Sequence, residues 1–455
     1  MVSAAEQLAS NLNFGAIAKA EDLKRRIWFT LGALIVYRIG TFIPMPGINP
    51  LAFAENFKAS SQGILGMVNL FAGGAIERMA IFALNIMPYI SASIIMQIMG
   101  SLSPTLVALK KEGEQGRKQI NQYTRYLTVA LAAFQAYGIA LGLEGQVTAL
   151  HGQVVFDPGW FFRLSTVITL VGGTMFLMWL GEQITQRGVG NGTSLIIFAG
   201  IVAGLPSALA GLLDLGRQGG SGVTTFRLLV LIVLMLACVV AIVYMESAQR
   251  RLLIQYPKRQ VGNRMFQGEA SHLPLKLNSA GVIPPIFASS LLLLPVTIGQ
   301  LMQNPSNPGP EWMTTLLTWL GRGQPIYILV FVALIIFFAF FYTNVLYNPE
   351  ETADNLRKYG GFLPGIRPGA KTAEFIHYVL TRITVVGAIY LAAVCVMPEI
   401  LTAYWQVPFY FGGTSLLIAV SVTMDTVAQV HSHLIAHQYE GLIKKAKLRG
   451  ARRGK

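Results

Sequence analysis

The sequence predicts an all-α polytopic membrane protein with ten transmembrane helices. Three observations carry that reading. Ten apolar segments punctuate the 455 residues, at about 27–43, 79–99, 126–143, 161–180, 194–213, 226–245, 282–301, 326–346, 383–405 and 411–431. Each is near the roughly 20 residues that a helix needs to cross ~30 Å of hydrocarbon. The composition, 53% hydrophobic and 12% charged, is that of a membrane chain. The basic residues alternate as well. The N-terminal tail, every second loop and the C-terminal tail hold all 35 Lys and Arg residues except Arg38, Lys58, Arg78, Arg163, Arg217, Arg227 and Arg322. Cytoplasmic loops carry such an excess, which places both termini in the cytoplasm.

Residues 1–26 form a cytoplasmic tail. Its start is mildly amphipathic through Leu8, Leu12, Phe14 and Ile17, and suits a surface helix on the membrane or a disordered tail. Lys24-Arg25-Arg26 then precedes an apolar run with no small-residue cleavage site, so that run reads as the first span and not as a cleavable signal. Residues 63–76 are apolar but too short to span, and Gly73-Gly74 breaks them. Two readings stay open: a short re-entrant helix entering a cavity from outside, or an amphipathic loop on the outer surface. Pro88 in the second segment, Gly204 and Pro206 in the fifth, and Pro284, Pro285 and Pro295 in the seventh interrupt apolar runs. Prolines free carbonyls and permit bends, which suits plain packing or, in the second and seventh, two helices that must part.

Ten segments with a long basic loop after the sixth suggest two halves of five, at 27–220 and 221–433. An odd number per half forces opposite orientations, the inverted-repeat plan that puts a pathway between the halves. Large cytoplasmic loops fall at 247–276 and 348–382, and 434–455 is a basic tail.

The net charge of +14 would suggest nucleic acid in a soluble chain; here topology and anionic lipid account for most of it. Residues 249–276 are arginine-rich enough to suit an acidic partner too. Cys238 and Cys395 lie within spans and read as small apolar residues. No P-loop is present, and Gly188-Val-Gly-Asn-Gly192 reads as a tight cytoplasmic turn. His431 and His433 sit about 200° apart on a helix, so they do not face one ion. Charged residues within spans are few, Arg38, Arg163 and Asp425 among them, whereas an ion-coupled transporter needs ionisable groups at mid-membrane. Isoleucine fills the centre instead: Ile86, Ile90, Ile197, Ile286 and Ile418. Alone that signal is weak, because isoleucine in a span usually faces lipid or packs in the core.

Ordered motifs go further. Phe71-Ala-Gly-Gly-Ala75, Ile86-Met-Pro-Tyr-Ile-Ser-Ala-Ser93, Lys111-Glu-Gly-Glu114, Gln119-Ile-Asn-Gln-Tyr-Thr-Arg125 and Trp179-Leu-Gly-Glu-Gln-Ile-Thr185 come first. The glycine turn at 188–192, His272-Leu-Pro-Leu-Lys276, Asn348-Pro349, Glu351-Thr-Ala-Asp-Asn355, Gly365-Ile-Arg-Pro-Gly369 and Pro408-Phe-Tyr-Phe-Gly-Gly-Thr-Ser-Leu-Leu417 follow. Over about 20–440 the chain closely resembles the bacterial SecY family, the central subunits of the protein-translocation channel.

The resemblance implies ten spans in two inverted halves around a central pore, in the bacterial inner membrane. It implies a gated channel, not an enzyme, that exports unfolded signal-bearing chains and releases membrane helices to lipid; the alternative class is a secondary transporter of small solutes. The family's pore ring falls on Ile86, Ile90, Thr193, Ile197, Ile286 and Ile418, with Thr193 a polar departure from the usual aliphatic residue. A narrow apolar constriction dewets and blocks ions. The plug would be the re-entrant helix at about 63–75, including Asn69, Leu70, Phe71, Ala72, Gly73 and Gly74. The lateral gate, between spans two and seven, would use Ser91, Gln97, Gln135 and Asn278. Arg250, Arg251, Arg264 and Arg367 would dock the ribosome, through its RNA, or the SecA motor. Further implied partners are SecE, SecG, signal peptides and nascent chains, the SecDF complex, the YidC insertase and anionic lipids. No cofactor or metal is implied.

Overall fold

The computed structural model describes residues 20–60, 69, 71–144, 147–148, 152–217, 225–257, 259–261, 264–266, 270–302, 315, 318–319, 321, 324–405 and 412–452. Helices dominate. α1 (Glu21–Gly40) and α2 (Pro50–Ser60) precede α3 (Met87–Leu102), α4 (Pro104–Lys111), α5 (Glu114–Glu144), α6 (Trp160–Arg187) and α7 (Gly192–Arg217). α8 (Thr225–Ser247), α9 (Ile283–Met302), α10 (Pro325–Leu346), α11 (Pro349–Lys358), α12 (Ala370–Trp405) and α13 (Gly413–Arg452) complete them.

Each of the ten predicted apolar segments overlaps a helix, the second of them only from Met87 on. Among the described residues α5, α6, α8, α10, α12 and α13 are each long and apolar enough to cross a membrane, and α3 with α4 makes a seventh candidate, bent by 99°. α7 and α9 carry the shorter apolar stretches Gly192–Ser207 and Ile283–Leu292. α1 differs from its predicted 27–43. It starts at Glu21, because Glu21 and Asp22 suit the positive end of a helix dipole, and it carries the basic triplet outward. A ten-span protein is consistent with this set.

The second span differs more. Residues 72–86 turn instead of continuing a helix, with positive φ at Met79 and Asn85. Pro88 therefore sits in the first turn of α3 and does not kink its middle. Proline suits that position, where its missing N–H is not needed. Pro284 begins α9 in the same way. At the far end of α3, Pro104 holds Ser103 extended, and the chain turns into α4.

The N-terminal half packs α5 on α6, α3 on α5, and α6 on both α1 and α7. The C-terminal half packs α9 on α10, α10 on α12, and α13 on α8 and α12. Among the described residues the halves meet where α3 and α5 touch α9, where α7 touches α8 and α13, and where α1 touches α13. Bidentate ion pairs clamp α5 to α6 at both ends. Arg125 reaches Glu182 at 2.5 Å at one end, and Arg163 reaches Glu144 at 2.7 Å at the other. Arg163, an exception to the charge alternation, is thus spoken for.

The glycine turn at 188–192 ties three helices. Val189 N–H donates to Thr30 Oγ1 on α1 at 3.0 Å, Gly190 N–H to Gln429 Oε1 on α13 at 2.9 Å, and Gly192 N–H to Thr185 Oγ1 on α6 at 2.8 Å.

The first large loop, at 247–276, contains strands that the all-helical reading lacked. β1 (Val147–Thr148) and β2 (Gly152–Gln153) form a small hairpin elsewhere, between α5 and α6. In the first large loop β3 (Gln249–Gln255) pairs antiparallel with β6 (Ala270–Lys276), and β4 (Arg259–Val261) with β5 (Arg264–Phe266). Alternation along β3, with Leu252 and Ile254 buried and Arg251, Leu253 and Gln255 exposed, is the two-residue period of a one-sided ribbon. The second large loop covers it. Leu252, Leu275 and Leu363 share a core with Ile366, Phe375 and Val379 beside it. Gln255 and Phe362 exchange backbone hydrogen bonds of 2.9 and 3.0 Å. Two loops far apart in the sequence therefore build one module.

Candidate functional site

The centre of the molecule is an apolar cluster to which both halves contribute. Ile86 is the N-cap of α3 and is fully buried; Ile90, one turn on, is 9% exposed and bonds back to it, its N–H donating to the Ile86 carbonyl at 3.1 Å. Ile197 on α7 and Ile418 on α13 are buried in the same cluster. Ile286, in the first turn of α9, packs half-buried against them. Four helices from two halves thus bring five isoleucines into one cluster. Their β-branched side chains have few rotamers, so the arrangement is stiff and offers no hydrogen-bonding group.

Thr193 is not brought into this cluster as the five are. It sits in the first turn of α7, where its hydroxyl donates to Asn191 Oδ1 at 2.8 Å and its N–H to the same oxygen at 3.2 Å. Its methyl faces Gly181 of α6. A threonine at a helix start finds a local capping partner, and that separates it from the apolar positions one turn further in.

Phe71 enters the same cluster from the segment before α3. Residues 61–68 and Leu70 lie outside the described residues, and so does most of the predicted 63–75 helix. Asn69 and Phe71 are helical, and a turn follows from Ala72. The turn is tightly held. Gly74 N–H donates to the Asn69 carbonyl at 2.9 Å, and Glu77 N–H to Asn69 Oδ1 at 3.0 Å. Asn85 Nδ2 donates to the Phe71 carbonyl at 2.6 Å, and Arg38 Nη1 to the Gly73 carbonyl at 2.6 Å. Gly73 and Gly74 take φ of +64° and +81°, where a Cβ would be strained. Across from them lies Gly200 of α7, and a Cβ there would run into the Phe71 carbonyl. The guanidinium of Arg38 also lies 4.7 Å from the Phe42 ring centre, and that of Arg78 lies 4.1 Å from it. Two more exceptions to the charge alternation are thus engaged beside this turn.

The four predicted gate residues do not bond to one another in the described contacts. Ser91 is buried on α3. Gln97 Nε2 donates within its own helix to Ser93 Oγ at 3.2 Å. Gln135 is half-buried on α5. Asn278, 5% exposed, donates to Glu246 Oε1 on α8 at 2.6 Å and to the Gly281 carbonyl at 3.0 Å. Expectation and structure differ here: the partner of Asn278 lies within its own half and not across the α3–α9 seam. Sequence reasoning missed Glu246, although a single carboxylate at the end of an apolar run was the available signal. It missed Asn85 as well.

Arg250 and Arg251 are exposed on β3, and Arg264 belongs to β5. Arg367 is exposed between Gly365 and Gly369, whose φ values of +81° and +104° let the chain fold back sharply on either side of it. Its neighbour Ile366 packs on the module core.

Comparison with known proteins decides the family. The SecY family model matches residues 80–427, more than half of the chain. The chain belongs to the SecY family. A SecY relative from Rickettsia typhi, named protein translocase subunit SecY, is 54% identical over 431 residues, 94% of this chain and 98% of that one. A solved SecY structure concerned with the plug domain and the closed state matches with a TM-score of 0.64 and 18% identity, over 90% of this chain and 92% of that one. Sec61 in a canine ribosome-channel complex matches with a TM-score of 0.61 and 17% identity, over 90% and 92%. At those identities the two structures establish a shared fold, the SecY and Sec61 channel fold.

Proposed function

We propose that this chain is the channel-forming subunit of a bacterial protein translocase. In this reading it lies in the inner membrane with both termini cytoplasmic. It passes unfolded, signal-bearing polypeptides between its halves and releases membrane helices sideways into lipid. The observation that carries the reading is the five-isoleucine cluster at the meeting of the halves, in a chain of the SecY family. A cargo of any sequence must slip past whatever lines the path. Charged linings would hold passing residues of opposite sign, whereas branched aliphatic side chains exclude ions and read no sequence. Ile86, Ile90, Ile197, Ile286 and Ile418 form this constriction, with Thr193 one turn from Ile197. A small-solute transporter would instead need ionisable groups at that depth.

Residues 63–75 act as the plug, of which Phe71 reaches the constriction. The lateral gate is the α3–α9 seam, where the helices pack on each other. Ser91, Gln97 and Gln135 tune it from the N-terminal half, and Asn278 from the start of α9. Hydrogen bonds of this kind in a membrane bundle are worth ~0.6–2 kcal/mol, enough to bias a gate without locking it. The cytoplasmic module docks the ribosome or the SecA motor, through Arg250, Arg251, Arg264 and Arg367. Energy comes from those partners and the proton-motive force. SecE and SecG complete the core complex, SecDF and YidC assist, and anionic lipid surrounds it.

The test is a photo-crosslinker at Ile90 in the reconstituted complex, with motor, ATP and a stalled secretory chain. Crosslinks to mid-chain cargo that require a signal sequence are expected. Efficient translocation without them would displace the constriction from Ile90.

A further inference from the structure

Arg38 and Asn85 stand in unusual places for polar residues. Arg38 is a cation near the outer end of α1, against the charge alternation, and Asn85 is 2% exposed with φ of +50°. Each donates one 2.6 Å hydrogen bond to a backbone carbonyl of the same four-residue strap, at Gly73 and Phe71. The strap also lies against Gly200, which has no side chain to hold it off. The strap carbonyls receive these two donors from α1 and from the lead-in to α3, while Gly200 belongs to α7. Backbone carbonyls are the same in any sequence, so these donors recognise the position of the strap and not its side chains.

We propose that Arg38 and Asn85 are a two-point latch that seats residues 71–74 on Gly200 in the idle channel. It rests on the plug reading given above. Cargo entry must break both bonds, and their re-formation reseats the strap. A charge-assisted donor at one point and an amide at the other resist displacement by water better than apolar contact alone, because an unmade bond leaves a buried carbonyl unpaired. The latch sets the resting open fraction of the channel and leaves the constriction unchanged.

The experiment uses the reconstituted channel complex in planar bilayers, without cargo, and reads idle ion conductance. Asn85→Gly removes the amide donor and keeps the left-handed backbone accessible. Arg38→Gln removes the charged donor, and Gly200→Ala pushes a methyl into the Phe71 carbonyl. Each is expected to raise idle conductance about tenfold, the factor equivalent to ~1.4 kcal/mol. The amount of complex purified and the export of cargo with an intact signal should stay near wild type. In a channel lacking residues 63–75, which is itself expected to leak, the same substitutions should add nothing. Wild-type conductance in all three variants, beside a leaking deletion, would leave the plug standing and overturn the latch. Extra leak on top of the deletion would also overturn it, since the residues would then act on the scaffold. A deletion that does not leak would remove the plug and the latch together.

Discussion

The isoleucine centre and the module built on the β3–β6 ribbon hold together by opposite means. At the centre, isoleucines on four helices meet in a largely aliphatic cluster, and their own side chains offer no hydrogen-bonding group. In the module, a small core of Leu252, Leu275 and Leu363 is framed by backbone hydrogen bonds and covered with exposed charge. In the function proposed above, the difference reflects two tasks. A path for any polypeptide must present nothing to bind, whereas a docking surface must present charge at fixed positions on a rigid frame. Stability is therefore concentrated in packing at the centre and spread over ladder and packing in the module.

A charge at the centre breaks that contrast most severely. Ile86 has no exposed surface. Ile86→Asp leaves a carboxylate without a partner among aliphatic groups, at a cost of several kcal/mol. The complex should fail to accumulate, read as lost protein in membranes. Normal accumulation would mean that water already reaches this position.

Next in size is a cavity in the module. Leu275 is 1% exposed, and Leu275→Ala should cost ~2–5 kcal/mol locally. Because the module has its own core, the loss should stay local. Limited proteolysis should cut within 249–276 while idle conductance stays at the wild-type level. A coupled rise in conductance would show that module and centre are one cooperative unit.

The contrast also governs what could be read from the sequence. Hydropathy and charge alternation foretold ten segments, each of which overlaps a helix, because burial in lipid leaves the backbone little choice. The start of α3 was misjudged, since apolar residues 79–86 look like helix and only the Asn85 conformation and Pro88 mark the real boundary. The ribbon at 249–276 was read as a charged loop, because its apolar face is short and its cover comes from residues around Leu363. Candidate positions at the centre came mainly from family resemblance, for isoleucine in a span carries almost no local signal. Arg38 was visible as an odd charge, yet its target is a glycine carbonyl 35 positions away, and no pattern in the side chains announces that.

A smaller effect is expected at Asn278. Asn278→Leu removes the donor that faces Glu246 and leaves that carboxylate one bond short, at ~1–3 kcal/mol. Because Asn278 lies just before α9, the change should loosen the α3–α9 seam. Cysteine cross-linking across the seam should report a lower closed fraction, with weaker discrimination against defective signal sequences. Unchanged cross-linking and selection would confine the Asn278–Glu246 bond to holding α8 beside α9.

The smallest effect on stability belongs to Arg367, and it separates the two regions most cleanly. Arg367 is exposed, and its carbonyl accepts from Thr372 Oγ1 at 2.9 Å, a bond that any residue there would retain. The backbone around it is set by Gly365 and Gly369 and anchored by Ile366. Arg367→Glu should therefore change folding by less than about 0.5 kcal/mol. Motor-driven export should nevertheless fall sharply, because the reversed charge repels an acidic partner surface at the point of contact. Idle conductance should not move, since the constriction lies in the other region. Normal export by the variant would remove Arg367 from the docking surface, and a raised conductance would mean that the loop acts on the gate.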